Sequence, residues 1–450
     1  MRKLLYQTVK HCVRAAIRLR LHFPLVWFIS KKIQTVKPSN GRQTDPSKPR
    51  VLAINEHYFI KDLEILADSG EFNVLKIPIK WQSMLLRLYW TDKTWDYNNC
   101  RQSNLAYYKP SDPAMIKMQD ELRKTLAIFL RSLFDYMDIK CLLSANFTYV
   151  VDYDWMLTAH SIGTPAVVFH KENLTLSKAL EDFWIESLED LGSFRATKVF
   201  LHNEKMKSLL IQTGFADESQ VKVLGCLRMD GYIKRLRDAD AAPPSRKNRV
   251  TLFSFQKNAG LEMLINDYFG DKGYVKFFEH VHTEFAKAAV RHPDTEFVIK
   301  PKYGRDWFEA IEKVMNDNGL FSKDIPNLKM TVDISAQDLI MESDVVCSFA
   351  STTILEAAVA GKPVIIPHFD EALKPEYQPN IILKDYYWLF DTAETPEDFG
   401  NRIDSRLENP LPGADYIAEA RKLFSSYVSS FEGGSAPRYI AELKHVIGVR

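Results

Sequence analysis

"SDVVCSFASTTILEAAVAGKPVIIP", residues Ser343–Pro367, is the stretch whose reading decides the fold. Asp344–Cys347 is short and β-branched, the character of a strand buried on both faces. Ile354–Ala360 is a run of strong helix formers, and it stops at Gly361, the residue best able to take a positive φ past a helix end. Pro363 then precedes a second apolar run, Val364–Ile366. Strand, hydroxyl-rich turn, helix and strand make an α/β unit. Ser348, Ser351, Thr352 and Thr353 fall between the carboxyl end of the strand and the amino end of the helix, where free backbone N–H groups favour an anion. "TILE" also fits a capping box in which Thr353 and Glu356 satisfy backbone donors reciprocally. Capping leaves Ser348, Ser351 and Thr352 unexplained, and hydroxyls grouped with N–H donors suit phosphate oxygens. Glu356, one turn in, could instead accept hydrogen bonds from a ribose diol.

The same alternation extends in both directions. Upstream of a proline-bearing linker, "RDADAAPPSRKNR" (Arg237–Arg249), strands are expected at Val51–Asn55, Val74–Pro78, Cys141–Ala145, Ala166–Phe169, Val199–His202 and Val221–Leu224. Helical patterns such as Pro113–Asp135 and Leu176–Leu191 lie between them. Downstream, strands are expected at Val250–Phe255, Phe297–Lys300, Leu328–Val332, Val345–Ser348, Val364–Pro367 and Tyr387–Phe390. The pattern predicts an α/β protein with two Rossmann-like domains of mostly parallel sheet facing a cleft. The expected division is a basic arm (1–36), an N-terminal domain (45–238), a C-terminal domain (248–415) and a helical segment (416–450). That last stretch, about Ala414–Ile447, is long enough to cross back over the domain boundary.

At 450 residues, 46% hydrophobic and 12% aromatic, the chain can fill two cores. Its five cysteines are scattered, with no C-x-x-C pair, which points to reduced, buried thiols in a cytoplasmic protein without a zinc site or disulfide framework. The net charge of +1 hides an asymmetry: residues 1–44 hold ten of the 59 basic residues and no acid, so the remainder is acidic. Such a body is a poor nucleic-acid binder. Leu4, Leu5, Val9, Cys12, Val13, Ala16 and Ile17 recur at helical spacing, flanked by Arg2, Lys3, Lys10, Arg14 and Arg18, and "FPLVWFIS" (Phe23–Ser30) follows. No run approaches the ~20 apolar residues needed to span a bilayer. Two readings fit the arm: a basic amphipathic helix on the anionic inner membrane face, or a helix packed on the protein's own body.

In open α/β sheets, ligands bind beyond the carboxyl ends of the strands. After the first strand come Glu56 and His57 in "NEHYFIKD"; after Ala166–Phe169 come His170 and Glu172 in "HKEN". Imidazole titrates near neutrality and can take a proton from a hydroxyl nucleophile; a carboxylate can orient it or act itself. Asp152 and Asp154 in "VDYDW" are weaker candidates. "FVIKPKYGRD" ends a strand with Lys300, Lys302 and Arg305, three cations suited to a pyrophosphate. Arg228, in "VLGCLRMDGY", could meet a phosphate or form a salt bridge.

Taken together, "VKVLGCLRMD", "FVIKPK" and "SDVVCSFASTTILEAAVAGKPVIIP" resemble, in that order, landmarks of GT-B glycosyltransferases of bacterial surface and capsular polysaccharide synthesis. Only the last of these is specific. A family segment that usually reads lysine-proline-histidine-proline is Lys300-Pro301-Lys302-Tyr303 here, so its histidine is absent. The resemblance implies a cytoplasmic, metal-independent transferase with no cofactor, moving a sugar from a nucleotide-sugar donor to a glycan or glycolipid hydroxyl. It implies phosphate contacts from Ser351, Thr352 and Thr353, a ribose contact from Glu356, and leaving-group stabilisation by Lys300 and Lys302. Glu56 or His57 would be the base, with His170 and Glu172 in reserve. A nucleotide-sugar epimerase, a polyol-phosphate transferase of the same fold and a non-catalytic nucleotide-sugar-binding partner remain as alternatives.

Overall fold

The computed structural model describes residues 2–90, 107–240, 248–262, 264–265 and 270–449, with side chains from Lys10 onward. Cys100 and most of the Arg237–Arg249 linker lie outside the described residues; Arg237–Asp240 close a helix. The chain divides into two compact units. Unit 1 comprises Met1–Leu174, Trp184–Gly231 and Gly433–Arg450; unit 2 comprises Thr175–Phe183 and Tyr232–Glu432.

Unit 1 is built on strands β1 (Gln34–Thr35), β2 (Arg50–Ala53), β3 (Asn73–Lys76), β4 (Ile139–Ser144), β5 (Ala166–Phe169), β6 (Lys198–Leu201) and β7 (Val221–Val223). Their order is β1-β3-β2-β4-β5-β6-β7, parallel throughout except for the two-residue edge strand β1, which the sequence did not announce. Val51, Leu52, Ala53, Leu142 and Leu143 are fully buried. Burial on both faces is why these strands read as continuous apolar runs. The helix Ile60–Asp68 supplies Leu63 and Leu66 to this core, and the last helix supplies Tyr439 and Leu443.

Unit 2 carries β8 (Arg249–Phe253), β9 (Glu296–Lys300), β10 (Leu328–Met330), β11 (Val345–Ser348), β12 (Val364–Pro367) and β13 (Asp391–Ala393), all parallel, in the order β10-β9-β8-β11-β12-β13. Counted within the unit this is 3-2-1-4-5-6, the doubly wound Rossmann order. The expected strand at Tyr387–Phe390 is instead the end of a 3₁₀ segment, Lys384–Leu389, and β13 follows it. Aromatic composition alone suggested a strand there, but Leu383 takes a left-handed conformation (φ 56°) and starts a turn.

The final helical stretch is two helices, Ala414–Tyr427 and Ser435–Val446. Gly433 and Gly434, at φ 72° and 82°, break it. Such angles cost glycine nothing and stop a helix. The N-terminal arm is likewise two helices, Arg2–Arg18 and Phe23–Ser30, both against the long helix Pro113–Met137. Ile17, Val26 and Ile29 are fully buried, Arg18 pairs with Glu121 at 3.0 Å, and His22 Nε2 meets Ser132 Oγ at 2.7 Å. Of the two readings of the arm, packing on the body is visible directly.

Candidate functional site

In unit 2 the order reverses between β8 and β11, so the loops leaving these two strands border the switch point where such sheets bind ligands. The loop after β11 is the hydroxyl-rich turn. Ser348 on β11 lies opposite Phe253 of β8, and Phe253 opposite Lys300 of β9. With strands about 4.8 Å apart, Lys300 and Ser348 therefore stand in one row roughly 10 Å from each other.

The turn is held by its own side chains. Thr353 Oγ1 donates to Ser351 Oγ at 2.9 Å and is 2.9 Å from Ser348 Oγ; Thr353 N is 3.3 Å from Ser351 Oγ. The expected capping box does not form. The helix is Thr353–Val359, its N-cap is Thr352 without a side-chain cap bond, and Thr353 is already the first helical residue. Its hydroxyl points back into the turn. Ala350 takes φ 51°, a left-handed conformation unusual for alanine. Thr352 is exposed and Ser351 half-buried. Glu356 is 8% exposed and accepts from Gln337 Nε2 at 3.4 Å, while its carbonyl accepts from Tyr232 OH at 2.8 Å.

Lys300 Nζ donates to Val332 O at 3.1 Å, and burial pulls its pKa down against the opposing pull of Asp333. Lys302 and Arg305 are exposed in the following loop, and Arg305 takes φ 47° as it starts the helix Asp306–Asp317. Behind them is a chain that sequence reasoning missed. His282 Nδ1 faces the Phe278 carbonyl at 2.6 Å; a carbonyl only accepts, so this nitrogen carries the proton. Nε2 then accepts from Ser254 Oγ at 2.8 Å, and Ser254 Oγ accepts from Trp307 Nε1 at 3.0 Å. Burial lowers the His282 pKa to about 4, with its Phe278 hydrogen bond opposing, so the ring is neutral. Ser254 follows β8 and donates its backbone N–H to Lys300 O at 3.1 Å, and Trp307 lies in the first turn of the helix after the basic loop, so this chain ties both ends of that loop to the end of β8.

In unit 1 the reversal lies between β2 and β4. Asn55 leaves β2 in a left-handed conformation (φ 52°), and Glu56–Tyr58 forms a 3₁₀ turn. Asp152, 1% exposed, accepts from Gln82 Nε2 (2.9 Å), Ser144 Oγ (2.7 Å) and Asn55 Nδ2 (3.4 Å), while Gln82 Oε1 accepts from Asn55 N (2.9 Å). The carboxylate thus ties the ends of β2 and β4 together. Burial raises its pKa to about 6, and its three donors oppose the rise. Asp154 is also buried, held by Arg123 Nε at 2.8 Å and by Tyr107 OH. Both aspartates of "VDYDW" are structural anchors.

Two acceptors beside Asp152 have no hydrogen-bond partner among the described residues: Asn55 Oδ1 and the buried Oε2 of Glu56. A rim of side chains starts from the same turn. His57 lies 4.1 Å from the Tyr58 ring, Tyr58 lies 4.7 Å from Tyr149, and Tyr149 OH reaches Glu172 Oε1 at 3.4 Å. Lys171 Nζ donates to Tyr58 O at 3.2 Å. His57 and Glu172 therefore belong to one rim, linked by two tyrosines that no motif flagged, and Glu56 precedes His57 in the same turn. His170 does not. Its ring is fully buried, stacked 4.2 Å from Phe147 and edge-on to Trp184, and burial drops its pKa to about 3 against the opposing Glu172 backbone. Next to a strand end it looked like a base; its side chain turns inward as core.

Arg228 is also placed elsewhere. It sits in unit 1, where Asp62 accepts its backbone N–H at 3.1 Å and its guanidinium at 3.5 Å. Of the cysteines, Cys141, Cys226 and Cys347 are free and buried, whereas Cys12 is exposed. Among the described residues no three His, Cys, Asp or Glu side chains gather closely enough to hold a metal.

Solved structures supply the comparison. The UDP-GlcNAc 2-epimerase of Neisseria meningitidis, bound to UDP-GlcNAc, is similar over 88% of this chain and 100% of its own, at 15% identity and TM-score 0.50. A second UDP-N-acetylglucosamine 2-epimerase is similar over 90% and 97%, also at 15% identity and TM-score 0.50. The chain has a GT-B-type fold. A glycosyltransferase of Rickettsia africae covers 89% of the chain and 99% of its own length, with 11% identity and TM-score 0.47. No family model matches the chain, and no curated protein matches it in sequence. At such identities the GT-B-type likeness concerns the fold, and the residues above must carry the chemistry.

Proposed function

We propose that the chain is a glycosyltransferase that takes a sugar from a nucleotide donor, a UDP-sugar in the first instance, to the hydroxyl of a surface-glycan or glycolipid acceptor. The observation that carries this reading is the Ser348–Thr353 turn at the β8/β11 switch point, in one row with Lys300. Ser351 and Thr352 would donate to the diphosphate, with Thr353 holding Ser351 in place, Lys300, Lys302 and Arg305 would offset its charge, and Glu356 would accept from the ribose. In unit 1, Glu56 would be the base: its buried Oε2 is unpartnered among the described residues and an acceptor hydroxyl has a proton to give. The hydroxyl oxygen attacks the anomeric carbon, its proton passes to Glu56, and the bond to the diphosphate breaks with both electrons leaving on phosphate. His57 and Glu172, on the same rim, would orient the acceptor.

The first test is thermal unfolding with nucleoside mono- and diphosphates. A ligand at a hundred times its Kd stabilises by about 2.7 kcal/mol. UDP is expected to raise the melting temperature, and Thr352→Val with Lys302→Ala to shrink that shift, each weakening affinity about tenfold. No shift with any nucleoside diphosphate would sink the donor site. Glu56→Gln is expected to keep the UDP shift and lose transfer by about a hundredfold or more. Transfer surviving in Glu56→Gln, His57→Ala and Glu172→Ala would remove the assigned bases. A second reading has a specific observation behind it: two solved structures similar at TM-score 0.50 are both epimerases. Incubation with UDP-GlcNAc and no acceptor decides it, since an epimerase changes the sugar on its nucleotide and a transferase does not.

A further inference from the structure

The corner between the two N-terminal helices carries apolar side chains that stay exposed although the arm packs on the body, Phe28 only in part, since it also lies edge-on to Trp81 at 5.3 Å. Leu19 and Leu21 are each 69% exposed, Phe23 59%, Trp27 50% and Phe28 37%. These five fall within ten residues of chain. Phe23 and Trp27 are one helical turn apart and so share a face, and Phe23 lies edge-on to the exposed Tyr136 at 5.6 Å. The opposite face of the corner, with Ile17, His22, Val26 and Ile29, is buried. The exposed apolar edge is therefore carried on a turn whose other face is packed on the body.

Cations bracket it. Arg18, Arg20 and Lys31 are exposed; Lys31 lies 5.9 Å from the Trp27 ring and Lys32 5.0 Å from that of Phe28. The first acidic residue of the chain is Asp45. Leucine and aromatic side chains projecting between lysines and arginines complement the acyl–headgroup boundary of an anionic leaflet, with rings at headgroup depth and cations on the phosphates. We propose that this corner, Arg18–Lys32, docks the chain on an anionic phospholipid bilayer. The amphipathic stripe of the first helix is not required. No helix among the described residues is long and apolar enough to cross a membrane, so docking would be peripheral.

Co-sedimentation of the full-length chain with vesicles tests this. The chain is expected to pellet with phosphatidylglycerol-containing vesicles, far less with phosphatidylcholine alone, and progressively less as salt rises. Leu21→Glu/Trp27→Glu and, separately, Arg20→Glu/Lys31→Glu are each expected to weaken pelleting by about tenfold or more. Both pairs are exposed, so melting temperature and the far-ultraviolet spectrum should hold; Leu21→Ser/Trp27→Ser replaces the first if it does not fold. Three results overturn the proposal. One is no pelleting of the wild type with anionic vesicles. Another is equal pelleting of the wild type and the apolar variant. The third is a wild-type dimer that the apolar variant turns into monomer while vesicle binding stays unchanged.

Discussion

Asp152 is the residue whose charge state matters most to unit 1, because its carboxylate joins the ends of β2 and β4 beneath Asn55 and Glu56. Its folded pKa stands at about 6 against an ordinary 3.8, and burial is the main cause. Between these values the folded state holds a proton that the unfolded state has released. Stability from this group is therefore fully present below pH 4 and is lost as pH rises towards 6 and beyond. A gap of that size between the folded and unfolded pKa corresponds to about 3 kcal/mol. Asp152→Asn cannot titrate, so urea unfolding of both proteins from pH 4 to pH 7 isolates the effect. The advantage of wild type over variant should fall by roughly 2 kcal/mol across that range. A flat difference would mean that the carboxylate does not change charge there. His170 marks the limit of reading at this scale. Its neighbours in sequence, Lys171 and Glu172, reach the rim, while its own ring lies under Phe147. Which way a side chain turns at a strand end depends on what packs above it, and no local motif carries that information.

A strand, its turn and the following helix form the next scale, and here the sequence said more. β5, β11 and β12 have the bounds expected of the strands at Ala166–Phe169, Val345–Ser348 and Val364–Pro367, because parallel strands buried on both faces read as nearly continuous apolar runs. Gly361, at φ 67°, ends the helix after the hydroxyl turn as its position implied. The inside of the turn was less readable. Thr353 and Glu356 suggested a capping box, yet Thr353 bonds to Ser351 and Ser348 and the helix has no side-chain cap. Ala350 in a left-handed conformation accounts for this form of the turn, and nothing in "SFAST" announces it. For alanine that backbone costs roughly 1 kcal/mol, and glycine adopts it freely. Ala350→Gly should therefore stabilise the free protein by about 0.5–1 kcal/mol. If the strained turn is shaped for a diphosphate, the same change should reduce the thermal shift given by UDP. Melting scans with and without UDP read both quantities. A gain in free stability with an unchanged UDP shift would separate the strain from binding.

Across the whole chain, each unit draws on segments far apart in sequence, and the last helix shows why composition could not define them. Ser435–Val446 belongs to unit 1 although residues 232–432 belong to unit 2. Its attachment is specific: the Asp230 carboxylate accepts from Ser435 N at 3.1 Å and Ala436 N at 2.7 Å, capping the helix. Arg438 Nε donates to Leu224 O at 3.1 Å, and Tyr439 OH to Gly225 O at 3.2 Å. The Tyr439 ring lies 4.9 Å from Phe169 and 5.3 Å from Phe200, and Leu443 is fully buried beside them. A helical pattern in the sequence predicts the helix; only the aromatic surface offered by β5 and β6 says where it docks. Deleting residues 433–450 would uncover that surface and remove two large core side chains, each worth about 2–4 kcal/mol. Hydrogen exchange should therefore accelerate in β5, β6 and the helix Ile60–Asp68, whose amides this core protects. β8–β13 have their own core and should exchange as in the full chain. Uniform acceleration in both sheets would show the two units to unfold as one.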